Sequence, residues 1–270
     1  MHQDIIVTRW EGDAAREGQD AVAIEEPLEI LINGERLAVT MRTPGDDLDL
    51  VAGFLFVEGI IQAASEIVAM QPGPGQGGEN RMYVRLKDDW KQDSQAHRWE
   101  RNFVGTSSCG ICGKTSLEAV HCVAPPLPPA TWRIPVRIIY GLNEQMRAAQ
   151  HVFARTGGLH AAGLFTLDGQ RLSLKEDVGR HNALDKLIGA EVRAGRVPLS
   201  ERILMVSGRA SYEILQKTAA ARIPIVCAVS APSSLAVQLA RDLNLTLIGF
   251  LRGDTMNVYA AAERLDSNPP

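Results

Sequence analysis

Cysteine is scarce in this chain, with four in 270 residues. So few thiols in a chain this long exclude a disulfide scaffold and fit a reducing cytosol. A second Cys-x-x-Cys is also missing, so a structural zinc ion would have to draw two of its four ligands from elsewhere. There is no surplus of basic charge. The formal net charge is −4, which argues against holding nucleic acid by an overall field and leaves any anionic ligand to a local basic pocket. No apolar run reaches the ~18 residues of a membrane helix. Met1 to Gln19 is polar and acidic without an apolar h-region, which predicts no signal peptide. These absences together predict a cytoplasmic protein whose partners are neither nucleic acid nor membrane.

The two closest cysteines that are present stand out. They lie in Thr106-Ser107-Ser108-Cys109-Gly110-Ile111-Cys112-Gly113, each followed by a glycine. Glycine lacks Cβ and opens φ > 0, so this stretch suits a mobile loop. A packed cysteine would more usually sit on a helix or strand as a small hydrophobe. Three chemistries compete for Cys109 and Cys112. Zinc suffers from ligand number, although six histidines are available. A dithiol redox couple fits the spacing, but the strand-turn-helix context of thioredoxin-like motifs is not visible. The third is a nucleophilic thiolate that carries a group, for which flanking glycines supply reach. The residues leave the last two open. Cys227 lies in an apolar stretch and reads as packed, and Cys122 is given no role.

Residues 1–23 read as a flexible tail, followed by an α+β unit over 24–104. The Cys-x-x-Cys loop and a proline-rich linker fill 105–130, and 131–270 forms an α/β unit. In the first unit Asn33-Gly34 separates two apolar runs, a strong hairpin signal. Leu48, Leu50, Val51, Phe54, Leu55 and Val57 mark a helix ending near Gly59. Gln71 to Asn80 reads as a loop and Arg81 to Leu86 as a strand. In the second unit the spacing predicts a helix over 142–154 and strands at 160–166 and 171–175. It then predicts a helix over 180–193, a strand at 203–206, a helix over 211–221 and a strand at 225–229. A helix over 233–241 and a strand at 245–250 complete the pattern. Strands alternating with helices imply a layered α/β sheet.

Ligands of such sheets bind beyond the carboxyl ends of the strands, near helix N-termini. Polar residues gather at those ends: Glu176 to Asn182, then Ser207-Gly208-Arg209-Ala210-Ser211, then Ser230-Ala231-Pro232-Ser233-Ser234, then Arg252-Gly253-Asp254-Thr255. Each serine alone reads as an ordinary helix cap. Arg180, Arg209 and Arg252 fit capping less well and suit an anionic, phosphorylated ligand. His160 and His181 carry a weaker signal, since a lone histidine usually serves the core or a helix start.

Taken together these segments resemble the FdhD family of formate dehydrogenase accessory sulfurtransferases. The matching stretches are the Cys109 loop, Thr156 to Ala162, Glu176 to Lys186, Ser207 to Ser211, Ala228 to Pro232 and Gly249 to Gly253, with Val51 to Ile61 near the start. The resemblance implies a sulfurtransferase that accepts sulfur from a cysteine desulfurase as a persulfide. The sulfur then passes to the molybdenum cofactor bearing two pterin guanine dinucleotides, before that cofactor enters formate dehydrogenase. It implies Cys109 as the carrier and Cys112 as its assistant. Phe250, Leu251, Arg252, Gly253, Asp254 and Thr255, with Ser207, Arg209, Arg180 and His181, become the cofactor contacts. GDP then serves as a fragment of the cofactor, and no permanent metal is implied. It also implies a homodimer and a cytidine deaminase-like carboxy-terminal domain. The deaminase zinc signature itself is missing, so that fold likeness carries no deaminase activity. The rival from another class is a non-catalytic chaperone that binds the guanine dinucleotide and presents it to a partner.

Overall fold

The computed structural model describes residues 1–75, 78–87 and 124–266. Two sheets organise it, each with a stripe of alternating apolar residues turned inward. The four-stranded sheet comprises β3 (Glu26–Ile32), β4 (Glu35–Arg42), β5 (Ile67–Pro72) and β6 (Arg81–Leu86), in the order β4-β3-β6-β5. Leu28, Ile30 and Ile32 of β3 and Met82, Val84 and Leu86 of β6 bury one face. The β3–β4 turn at Asn33-Gly34 places both residues at positive φ, as the sequence signal requires.

The six-stranded sheet contains β8 (His160–Thr166), β9 (Arg171–Asp177), β10 (Arg202–Val206), β11 (Ile225–Ala228), β12 (Thr246–Arg252) and β13 (Thr255–Ala260). Its order is β13-β12-β11-β10-β8-β9, with β10, β11 and β12 parallel and the flanking pairs antiparallel. Alternation along β10 shows why both faces are covered. Leu204 and Val206 join the core beneath α5 (Arg180–Arg193), α6 (Tyr212–Ala220) and α7 (Ser234–Asp242), whereas Ile203 and Met205 join a second core with Ile139, Leu142 and Met146. Those last residues come from α2 (Val136–Tyr140) and α3 (Leu142–Ala149). The predicted helix over 142–154 is two, because Gln150 leaves helical geometry and α4 (His151–Thr156) restarts before Gly157 at φ 65.

Between the sheets lies α1 (Asp47–Val57), buried on most of its circumference because it packs on the four-stranded sheet and on α5 together. The α1–α5 crossing is unusually close. A Cβ on Gly53 would lie 1.9 Å from the carbonyl oxygen of Asp185, and one on Gly189 would lie 1.8 Å from that of Asp49. Only paired glycines allow two helix backbones to meet so closely. One hydrophobic core therefore runs from Leu28 to Ala260 across both sequence units.

Residues 2–23 correct one expectation. Instead of a flexible tail, β1 (His2–Glu11) and β2 (Ala14–Ala23) form a ten-pair antiparallel hairpin around Gly12. An Asp4–Arg155 ion pair and an Ile24 N–H bond to the Met1 carbonyl tie it to the body. Its side chains are mostly exposed on both faces, so no hydrophobic period announced it. The hairpin is held by main-chain pairing. Strands β5 and β13 escaped for a similar reason, the first ending in Gln71-Pro72 and the second being an exposed edge.

Candidate functional site

The polar segments that follow successive strands meet along one edge of the six-stranded sheet. Because β8 runs antiparallel to β10, its first residue, His160, lies beside the end of β10, and His160 is in turn registered with Asp177 at the end of β9. The loops after β10 and β11 are joined by an Ala210–Pro232 bridge and by the Ser233 N–H bond to Ala210 O. Phe250 N–H donates to Ser230 O at 3.3 Å, which fastens the β12–β13 turn to the same edge.

Asp177 builds the corner of this edge. It is fully buried, and its Oδ1 accepts from Gly179 N at 2.8 Å and Asn182 Nδ2 at 3.3 Å. Its Oδ2 accepts from Thr43 N at 3.1 Å and pairs with Lys186 Nζ at 2.7 Å. Lys186 also donates to Thr43 O at 2.8 Å, and Asn182 Nδ2 to Met41 O at 2.7 Å. A buried carboxylate with four donors is fully compensated. The loop that carries Arg180 is thus clamped to β4 and to the residue that follows it.

The β12–β13 turn has a different character. A register shift between Gly249 and Arg252 turns Phe250 into left-handed backbone at φ 53, with its ring exposed. A bulky residue in that conformation is costly and persists where surroundings impose it. Here Gly249 supplies the constraint, since a Cβ there would meet Pro232 at 3.0 Å and Ser230 O at 3.2 Å. Arg252, Gly253, Asp254 and Thr255 are exposed beyond it, and Thr255 Oγ1 closes the turn onto Arg252 O at 2.9 Å.

Several expected contacts change their meaning. Leu251 is fully buried in the core beneath the sheet, so only its main chain can face a ligand. His181 turns inward, with Nε2 3.2 Å from Glu213 Oε2 and 3.4 Å from Ser211 Oγ. It belongs to a buried ionic cluster in which Lys217 Nζ lies 3.0 Å from Asp185, 3.8 Å from Glu58 and 3.9 Å from Glu213. Burial pushes the Asp185 carboxyl up to about 6 despite that ammonium. Burial also pulls Lys217 down, but Asp185, Glu58 and Glu213 outweigh it and hold Lys217 above its ordinary range. Ser207 does not cap α6. Its Oγ accepts from Ala161 N at 2.8 Å and its N–H donates to Ala161 O at 3.0 Å. Ser233 does cap α7, accepting from Ala236 N.

Arg209, Phe250 and Arg252 therefore remain as exposed side chains of the edge, with Asp254 and Thr255 in the turn and Arg180 partly buried beside them. Cys109 and Cys112, like Cys122, lie outside the described residues. Among the described residues no cluster of three or more His, Cys, Asp or Glu could hold a metal ion, and no helix is long and apolar enough to cross a membrane.

The FdhD/NarQ family model matches residues 23–266, which takes in both sheets and every strand-end segment described above. The chain belongs to the FdhD/NarQ family. This member is 51% identical over 250 residues to the sulfur carrier protein FdhD of Nocardia farcinica, covering 92% of this chain and 89% of the relative. It is 48% identical over 266 residues to that of Streptomyces coelicolor, covering 96% and 94%. Its fold matches the crystal structure of a candidate formate dehydrogenase accessory protein from Desulfotalea psychrophila with a TM-score of 0.78. That match has 25% identity and covers 98% of this chain and 99% of the other. His160, which carried only a weak signal in the sequence, opens β8 at this edge in register with Asp177.

Proposed function

We propose that this FdhD/NarQ member is a sulfurtransferase in formate dehydrogenase maturation, moving sulfur from a cysteine desulfurase to the molybdenum cofactor with two pterin guanine dinucleotides. The observation that carries the reading is near-full-length identity of about one half to proteins named sulfur carriers. The sheet edge, with three arginines and an exposed aromatic ring, supports a phosphorylated cofactor as the acceptor.

The resemblance to the family assigns the sulfur chemistry to Cys109 and Cys112, and Cys227 does not compete with them. Cys227 is fully buried, and burial raises its thiol far above the ordinary range, so it supplies no thiolate. Of the other cysteines, the glycine-flanked Cys109 and Cys112 are the pair that the family resemblance names. Cys109 thiolate attacks the outer sulfur of the desulfurase persulfide. The sulfur–sulfur bond breaks, and the desulfurase leaves as a thiolate. Delivery as sulfide needs two electrons. Attack by Cys112 on the inner sulfur of Cys109 supplies them, leaving a Cys109–Cys112 disulfide for later reduction. Incubation with a desulfurase and cysteine, followed by peptide mass spectrometry, should show one added sulfur on the peptide containing Cys109, and none in Cys109→Ala. Absence of that mass in the unaltered protein would favour the non-catalytic chaperone.

For the acceptor, Phe250 offers a ring face for a base to stack on. Arg252 offers a guanidinium fork that matches phosphate oxygens. Asp254 can accept from the N1 and N2 donors that guanine has and adenine lacks. Calorimetry should therefore find GDP bound at least about tenfold more tightly than ADP, the worth of one charge-assisted bond. Equal affinity would remove guanine from the proposal.

A further inference from the structure

The proline-rich run that follows the cysteines is fixed by side chains from elsewhere in the fold. Prolines at 125, 126, 128 and 129 have no N–H, so the run cannot pair as a strand and offers mainly carbonyl acceptors. The Arg222 guanidinium donates to the carbonyls of Pro125 and Pro126. Asn244 Nδ2 donates to those of Leu127 and Pro128 at 3.0 and 3.4 Å. The Leu127 N–H, which the prolines on either side lack, donates to Leu243 O at 2.9 Å, and buried Arg264 reaches Pro128 O at 3.4 Å. Among the described residues, Arg222 and Asn244 thus supply four of the six hydrogen bonds on Pro125–Pro128.

Both side chains stand on left-handed backbone. Arg222 (φ 61) and Asn244 (φ 55) are the first residues beyond the caps of α6 and α7, where glycine is usual. Arginine in that conformation costs free energy that glycine would not. What arginine adds is its fork on two successive carbonyls, and asparagine serves the next two. Arg222 lies just before β11 and Asn244 just before β12, so the run is fixed at the amino ends of these parallel strands. The Phe250–Thr255 turn lies at the other end of β12, roughly 20 Å away over the six residue steps from Thr246 to Arg252. Cys109 precedes Pro125 by sixteen residues, a contour of at most roughly 55 Å.

We propose that Arg222 and Asn244 are positioning residues for sulfur delivery: they fix the chain at Pro125 and so set the length on which Cys109 works. This rests on the readings above of Cys109 as the carrier and of the turn as the nucleotide contact. The local concentration of a tethered group falls roughly as the −3/2 power of chain length once the chain exceeds its span. Without the anchor, the next fixed point is buried Ile134, paired with Leu265. The chain between thiol and fixed point then grows from sixteen residues to twenty-five, and the local concentration drops about twofold.

A GDP analogue bearing a bromoacetyl group on its β-phosphate tests this on the full chain. The readout is its rate of alkylating Cys109 relative to free bromoacetamide, followed by peptide mass spectrometry. A nine-residue glycine/serine insert between Ala124 and Pro125 should slow the tethered reaction about twofold and leave the free one unchanged. The same insert between Pro129 and Ala130 should slow neither, because the anchor intervenes. Arg222→Gly/Asn244→Gly keeps the left-handed backbone without the side chains, and there the second insert should slow the tethered reaction as well. GDP affinity should stay unchanged throughout. A role confined to stability would give no such dependence on where the insert lies. The anchor is overturned by equal slowing from both inserts in the unaltered background, by slowing from neither, or by a second insert that stays silent in the double variant. A tethered reaction no faster than the free one in the unaltered chain would overturn the carrier and nucleotide readings, and the anchor's role with them.

Discussion

Gly189→Ala should destabilise the protein by at least about 3 kcal/mol, at or beyond the upper end of ordinary overpacking. The new Cβ would sit 1.8 Å from Asp49 O and against the backbone nitrogen of Gly53 at 2.5 Å. Neither atom can rotate away, because both are main chain of α1. The helices must separate, and the core shared by the two sheets then loses contact along the whole crossing. Gly53→Ala meets the same obstacle from the other side, at Asp185 O. Gly158→Ala is the fitting control, because its Cβ would find Ala23 at a comfortable 3.5 Å. It should fall within the roughly 0.5 kcal/mol of an ordinary surface change. Urea unfolding of the three variants tests this. A Gly189→Ala midpoint close to the control would mean that the helices do not meet as described.

Lys217→Met should cost about 3–5 kcal/mol, as removing one member of a buried ion cluster does. Without it, Asp185, Glu58 and Glu213 lose the ammonium that they share, and His181 still pairs with Glu213. The loss should depend on pH with a defined sign. The Asp185 carboxyl already sits at about 6 in the folded chain, against an ordinary value of 3.8. The folded state thus holds that proton more tightly than the unfolded chain does. Its stabilising contribution is complete below about pH 3.8 and is lost as pH rises through about 6. Removing the lysine takes away an attraction that lowers this pKa, so the folded value climbs further. Lys217→Met should then lose more stability at pH 8 than at pH 5, measured by denaturant unfolding at both. An equal loss at the two pH values would show that Asp185 does not titrate in this window.

The sequence made some of this architecture plain. Asn33-Gly34 announced its hairpin because the turn type demands those residues, and α5 was legible from Arg180 to Arg193 by its apolar spacing. The edge was legible too, since β strands alternating with helices bring successive loops to one end. What stayed hidden depended on partners distant in sequence. The inward turn of His181 is set by Glu213 on α6, and the burial of Leu251 by a bulge at Gly249. The glycines at 53 and 189 gain meaning only when two helices far apart in the sequence cross. The hairpin over residues 2–23 had no apolar stripe to betray it.

The clamp around Asp177 has an uneven grammar. One side speaks mostly in side chains: Asp177, Asn182 and Lys186. The other answers largely with main-chain atoms, Met41 O, Thr43 N and Thr43 O, which every residue but proline possesses. Evolutionary drift should therefore be asymmetric across this junction. Residue 41 can exchange side chains while still presenting the same carbonyl, whereas Thr43, whose Oγ1 also accepts from Val178 N at 3.2 Å, and each of the three facing residues are answerable for their own atoms. A chimera joining residues 1–87 of a distant relative to the rest of this chain would keep the Arg180 loop in place, provided that it brought a glycine at 53 and a hydroxyl at 43.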